Sequence, residues 1–83
     1  MSEISAALPE PQLQVDASGL KCPLPILRAK KALSQLESGQ VLLVITTDPH
    51  AVRDFQAFAK QTGNALEAQQ PHGEAVHHYL RRR

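Results

Sequence analysis

Cysteine occurs once in these 83 residues, tryptophan is absent, and the aromatic side chains are two phenylalanines and one tyrosine. A single cysteine excludes an intramolecular disulfide and the resolving-thiol chemistry of a dithiol oxidoreductase. With so few aromatics, none interleaved with basic residues, the chain lacks the stacking platform that holds single-stranded nucleic acid. No direct nucleic-acid partner is expected. The longest apolar run, Val41-Leu42-Leu43-Val44-Ile45, falls far short of the roughly 20 residues that cross a bilayer. No stretch has the make-up of a secretory signal. One thiol, no leader and no membrane span point to a reducing cytosol, where that thiol stays available.

What is present fits a single small domain. Residues 1–11 mix Ala, Ser, Glu and two prolines without periodicity and read as a flexible tail, with the domain over 12–83. The net charge of +1 conceals an uneven layout. Lys21, Arg28, Lys30 and Lys31 lie between Ala17 and Leu36 with no acidic residue among them. Such a face is either simply solvated or steers an acidic protein partner, and we adopt the second reading.

Leu13 to Asp16 alternates as a short strand. A helix follows from about Pro23 to Leu36, with Ile26, Ala29, Leu33 and Leu36 as its buried stripe. Leu24 and Leu27 fall off that stripe, toward Arg28 and Lys31, either as a docking surface or tucked against loops. Gln40 to Thr46 reads as a central strand. Asp48 as N-cap and Pro49 at the first helical position open a second helix, with Val52, Phe55 and Ala59 inward, Phe58 flanking and Gly63 at its end. Asn64 to Gln70 and Ala75 to Arg81 form a hairpin around Pro71-His72-Gly73-Glu74. The order βαβαββ predicts a two-layer α/β (α+β) sandwich, a four-stranded mixed sheet with both helices on one face.

The chemistry concentrates in Gly19-Leu20-Lys21-Cys22-Pro23-Leu24-Pro25. Prolines are tolerated in a first helical turn, and each pushes the residue before it toward extended angles. Cys22 therefore suits an N-cap, with the helix beginning at Pro23 or at Pro25. A thiol there meets unpaired N–H groups, chiefly those of Cys22, Leu24 and Ile26, and the positive end of the helix dipole. The expected consequence is a thiol titrating moderately below the ~8.5 of free cysteine, aided by Lys21. Asp16 is expected to bond N–H groups of the Ala17-Ser18-Gly19 turn. Arg53 and Asp54 are read as packing and surface-pairing residues.

The segment from Leu13 to Pro25 resembles the TusA (SirA-like) family of sulfur carriers, whose signature is Cys-Pro-x-Pro after Asp-x-x-Gly-Leu. Asp16, Gly19, Leu20, Cys22, Pro23 and Pro25 all match, and Thr47-Asp48-Pro49, Arg53-Asp54 and Tyr79-Leu80-Arg81 extend the likeness. The resemblance implies a final strand inserted between the second and third. It also implies that Cys22 carries sulfur as a persulfide, between a cysteine desulfurase or rhodanese-like donor and a downstream acceptor protein. Tasks attributed to family members include tRNA thiolation, molybdenum-cofactor synthesis and sulfur oxidation. Pro23, Pro25, Gly19 and Asp16 would shape the site, while Lys21, Leu24, Leu27, Arg28 and Lys31 would dock partners.

Other chemistries fit less well. Adjacent His77 and His78 on a strand point to opposite faces and cannot readily share an ion, and no zinc spacing links them to His50, His72 or Cys22. No metal and no cofactor are expected. A cysteine hydrolase needs a base and an oxyanion hole, and nothing brings His50 to Cys22. Thiocarboxylate carriers end in Gly-Gly, whereas this chain ends Arg81-Arg82-Arg83. The expected function is a monomeric carrier performing sulfurtransferase half-reactions rather than stand-alone turnover. The rival is a regulatory adaptor with Cys22 as a redox-sensing thiol.

Overall fold

The computed structural model describes residues 8–83, so residues 1–7 of the expected tail lie outside the described residues. The elements run β1 (Leu13–Ala17), α1 (Leu24–Leu33), β2 (Val41–Thr46), α2 (Ala51–Thr62), β3 (Ala65–His72) and β4 (Ala75–Arg81). The four strands form one sheet in the order β1-β2-β4-β3. β1 pairs parallel with β2, Ala17 opposite Thr46, and the other two pairings are antiparallel. This is the mixed βαβαββ sheet read from the sequence, with β4 in the inserted position.

Alternation decides which side chains meet the helices. Leu42 and Val44 of β2 and Leu80 of β4 point toward them and are buried with Phe55, Ala29, Leu33, Leu36 and Phe58. Val41, Leu43 and Tyr79 form a smaller cluster on the opposite face, partly covered by Leu8. β2 is therefore apolar on both faces, as its unbroken sequence demanded.

The helices differ in detail from the sequence reading. In α1, Leu24 is the first helical residue and Pro23 the cap, so the start lies between the two alternatives left open. Ile26 is only half-buried, and Pro25 and Ala32 join Ala29 and Leu33 in the core. Past Leu33 the chain tightens to i→i−3 bonds, Gln35 N–H to Ala32 O at 3.0 Å and Leu36 N–H to Leu33 O at 3.1 Å. That turn still delivers Leu36 to the core. In α2 the first helical residue is Ala51 rather than Pro49, with His50 as cap. Ala51 and Phe58 are buried where Val52 was expected, and Val52 is half-buried. The hairpin is tighter than expected: Pro71 and His72 belong to β3, and only Gly73-Glu74 turns. Positive φ at Gly73 alone, 63°, is the pattern of a II′ turn.

A polar network crosses the core beneath α2. His78, fully buried, stacks on Phe55 with ring centroids 4.5 Å apart. Its Nε2 lies 2.7 Å from Thr46 Oγ1 and its Nδ1 3.0 Å from Gln69 Nε2. Gln69 Nε2 also donates to Val52 O, and its Oε1 accepts from Gln56. These partners fix the Gln69 amide as donor toward His78, so Nδ1 accepts and the imidazole is the neutral Nε2–H tautomer. His77 points to the other face, as alternation requires, and stacks on His72.

Candidate functional site

Parallel pairing of β1 and β2 brings their carboxyl ends side by side. The loops that follow each strand therefore meet, the position at which open α/β sheets collect ligands. The first loop carries Gly19 to Pro23 and the second Thr47 to His50. Between them lies a cleft of ≈ 570 Å³ lined by Gly19, Leu20, Lys21, Cys22, Thr47, Asp48, Pro49 and His50.

Each loop is shaped locally before the two are tied. Asp16 Oδ1 accepts from Ser18 N–H at 3.0 Å, the turn bond expected of it, and the Ser18 hydroxyl first, then this N–H, hold its carboxyl below the usual carboxylate range. Leu20 N–H bonds Ala17 O at 3.2 Å, with Gly19 at φ 80°, a value that favours glycine. Two side chains of the second loop then reach across. Thr47 Oγ1 accepts from Gly19 N–H at 2.8 Å, and Asp48 Oδ2 accepts from Cys22 N–H at 2.8 Å. The other Asp48 oxygen accepts from His50 N–H at 3.1 Å and sits 3.1 Å from His50 Nδ1. The N–H groups of His50 and then Cys22 hold this carboxyl, only 6% exposed, in its charged form below the usual range. Its recruitment to two partners, in a turn ahead of the helix, accompanies the later start of α2.

Cys22 is exposed, and the Cys22–Pro23 peptide bond is cis. The expected thiolate cradle is not assembled. Cys22 N–H is committed to Asp48, Leu24 N–H bonds Lys21 O at 2.8 Å, and Pro23 and Pro25 have none to give. The Asp54 carboxylate first, then partial desolvation and the charges of Asp54 and Asp48, push the thiol above its ordinary value. This overturns the expected downward shift. Of the three donors expected near the sulfur, those of Cys22 and Leu24 are taken, and the two carboxylates disfavour charge on it. Asp54, read as a surface-pairing residue, also bears on the charge of the thiol.

The remaining sequence candidates surround this point. Pro25 is buried and Pro23 exposed. Leu24 and Leu27 stand out as exposed large apolar side chains, 47% and 54% exposed. Lys21, Arg28, Lys30 and Lys31 are exposed as well, giving α1 a surface of mixed apolar and basic character. Among the described residues no group of three His, Cys, Asp or Glu side chains is arranged to hold a metal ion. No helix among them is long and apolar enough to cross a membrane.

Comparison with known proteins agrees with this architecture. The family described as sulfurtransferase TusA matches residues 13–82. The sulfur carrier protein TusA of Allochromatium vinosum is 58% identical over 69 residues, covering 83% of this chain and 91% of that protein. The putative sulfur carrier protein YrkI of Bacillus subtilis is 43% identical over 68 residues, 82% of this chain and 91% of that one. A SirA-like protein of Desulfitobacterium hafniense superposes with a TM-score of 0.75 at 28% identity, covering 84% of this chain and 96% of that chain. Fold, loop-borne cysteine and sequence agree, and the chain belongs to the TusA family of sulfur carriers.

Proposed function

We propose that the chain carries sulfur as a persulfide on Cys22, taking it from a cysteine desulfurase or rhodanese-like donor and delivering it to a thiol of an acceptor protein. The supporting observation is the placement of the only cysteine, exposed at the cleft where two βα loops are tied together, in a member of this family. In loading, the Cys22 thiolate attacks the outer sulfur of the donor persulfide. One S–S bond forms, one breaks, and the donor cysteine leaves as a thiolate. In unloading, an acceptor thiolate takes the outer sulfur and Cys22 is released. Neither half-reaction requires a base on this chain if the partner supplies it. The adaptor reading draws less support, because sensing thiols are acidic and the carboxylates here push the Cys22 thiol upward.

Leu24, Leu27, Arg28 and Lys31 form the docking surface in this reading, with Lys21 at its edge. A monomer in a reducing cytosol suits a shuttle that offers one site to successive partners. The test is transfer of radiolabelled sulfur from a desulfurase supplied with cysteine. Cys22→Ser abolishes labelling and, as an exposed swap, leaves stability within about 0.5 kcal/mol. Equal labelling of the serine variant refutes the carrier reading.

A further inference from the structure

A second cleft, of ≈ 240 Å³, opens at the other end of α1 from Cys22, between the last turns of both helices and the residues that follow β4. Its floor is the exposed margin of two core residues, Leu33 and Phe58. Lys30, Arg82 and Arg83 surround that floor together with Ser34 and Asn64, and among the described residues no acidic side chain lines it. Glu67 on β3 is engaged instead by Arg81, at 3.0 Å.

The two arginines serve the fold first. Arg82 Nη1 donates to Leu36 O just past α1, and its main chain bonds Gln40 O and Gly39 N–H. Arg83 N–H donates to Asn64 Oδ1 at 3.0 Å, and Asn64 Nδ2 is tied in turn to Thr62 Oγ1 at 2.9 Å. The Arg83 side chain lies against Gly63, the C-cap of α2. Cations are favoured where helices end. That role engages one donor of the Arg82 guanidinium, and a guanidinium carries five. Anchored from behind, these groups stand at fixed points and lose little freedom when an anion binds.

We propose that this cleft docks an acidic peptide segment of a partner protein, with carboxylates on Lys30, Arg82 and Arg83 and an apolar side chain on the Leu33–Phe58 floor. Charge complementarity carries the choice of occupant, since three cations converge where no acidic side chain lines the cleft. A guanidinium matches a carboxylate with two parallel N–H···O bonds. RNA fits less well, because Phe58 is 8% exposed and packs edge-on against Phe55, leaving no aromatic face on which a base can stack. Position also favours a protein. Leu27, Lys30 and Ser34 follow one another at three-and-four spacing, so the cleft continues the exposed face of α1. Ser34 lies ten residues beyond Leu24, about 15 Å at a rise of 1.5 Å per residue. A partner seated on that face with its own thiol at Cys22 reaches the cleft with a separate segment. The site itself stands on the cleft's geometry, and its use in sulfur transfer rests on the carrier reading.

A fluorescein-labelled hexapeptide of alternating glutamate and leucine tests the site without sulfur chemistry. The full chain is used as Cys22→Ser, so the thiol plays no part, and failure of peptide binding is a separate result from failure of sulfur labelling. Fluorescence anisotropy should show binding that weakens as salt rises, and the same peptide with glutamine for glutamate should bind on the order of tenfold more weakly. Lys30→Glu with Arg83→Glu, both at exposed positions, should weaken binding of the acidic peptide by on the order of tenfold while leaving the circular dichroism spectrum unchanged. Amide resonances that shift on peptide addition should centre on Ser34, Asn64 and Arg83. Equal affinity for the glutamine peptide, undiminished binding by the double variant, or shifts centred on the Gly19 to Cys22 loop overturns the proposal. A uridine hexanucleotide bound more tightly than the acidic peptide overturns it too, and makes the cleft a nucleic-acid contact.

Discussion

His78 makes stability depend on pH, and the size of the effect follows from its surroundings. The ring is fully buried against Phe55 between Thr46 and Gln69, and desolvation first, then the charge of His77, lowers its pKa to about 4. Protonation would also turn Nδ1 from acceptor to donor, facing a Gln69 amide that donates both to it and to Val52 O. An unfolded histidine titrates near 6.5. Between those values the unfolded chain binds more protons than the folded one, so stability is full above about pH 6.5 and is lost as pH falls toward 4. The complete difference is about 3 kcal/mol, of which about 2 kcal/mol is gone at pH 5. That is a substantial part of the roughly 5–15 kcal/mol that holds a small domain folded. Urea unfolding followed by circular dichroism from pH 7.5 to 5 measures it. His78→Gln removes the titration while retaining groups that bond Thr46 and Gln69, so its overall stability falls but its pH dependence flattens. His77, also shifted down, remains in both proteins and cancels in the comparison. Parallel stability curves for wild type and His78→Gln would refute the reasoning.

Two predictions concern docking. Arg28→Glu with Lys31→Glu should slow desulfurase-dependent labelling of Cys22, and added salt should slow the wild type, since screening sets in over about 10 Å at 0.1 M salt; rates indifferent to both would show that this face is merely solvated. Leu27→Ser should leave stability within about 0.5 kcal/mol by urea unfolding, because Leu27 is 54% exposed, yet should weaken transfer; an unchanged transfer rate would remove Leu27 from the interface.

The parts of the fold legible in the sequence were those set by local pattern. The apolar run of β2, the alternation of β1 and the stripes of both helices reflect burial, which periodicity records directly. The site was legible in part. Cys22, the prolines and the Asp16 turn lie within a few residues of one another, and short-range rules place them. Asp48 and Asp54 lie 26 and 32 positions from Cys22 in sequence. Only the parallel register of β1 and β2 brings the two loops together. One signal was available: two strands with helical crossovers place consecutive βα loops at the same sheet end. Asp48-Pro49 could have been read as a partner for the Cys22 loop instead of a cap alone.

The thiol shows why counting donors is not the same as finding them aimed. The sequence specifies which peptide groups near Cys22 carry an N–H. It does not specify that one turns to Asp48 and another to Lys21 O. A helix start lowers a cysteine's pKa only when its free donors face the sulfur and no anion intervenes. Here the carboxylate that anchors the loop consumes the nearest donor and adds opposing charge. Fixing Cys22 in position and activating it are therefore in conflict at Asp48, and this chain favours position. Activation then falls to whatever charge a partner brings to the cleft.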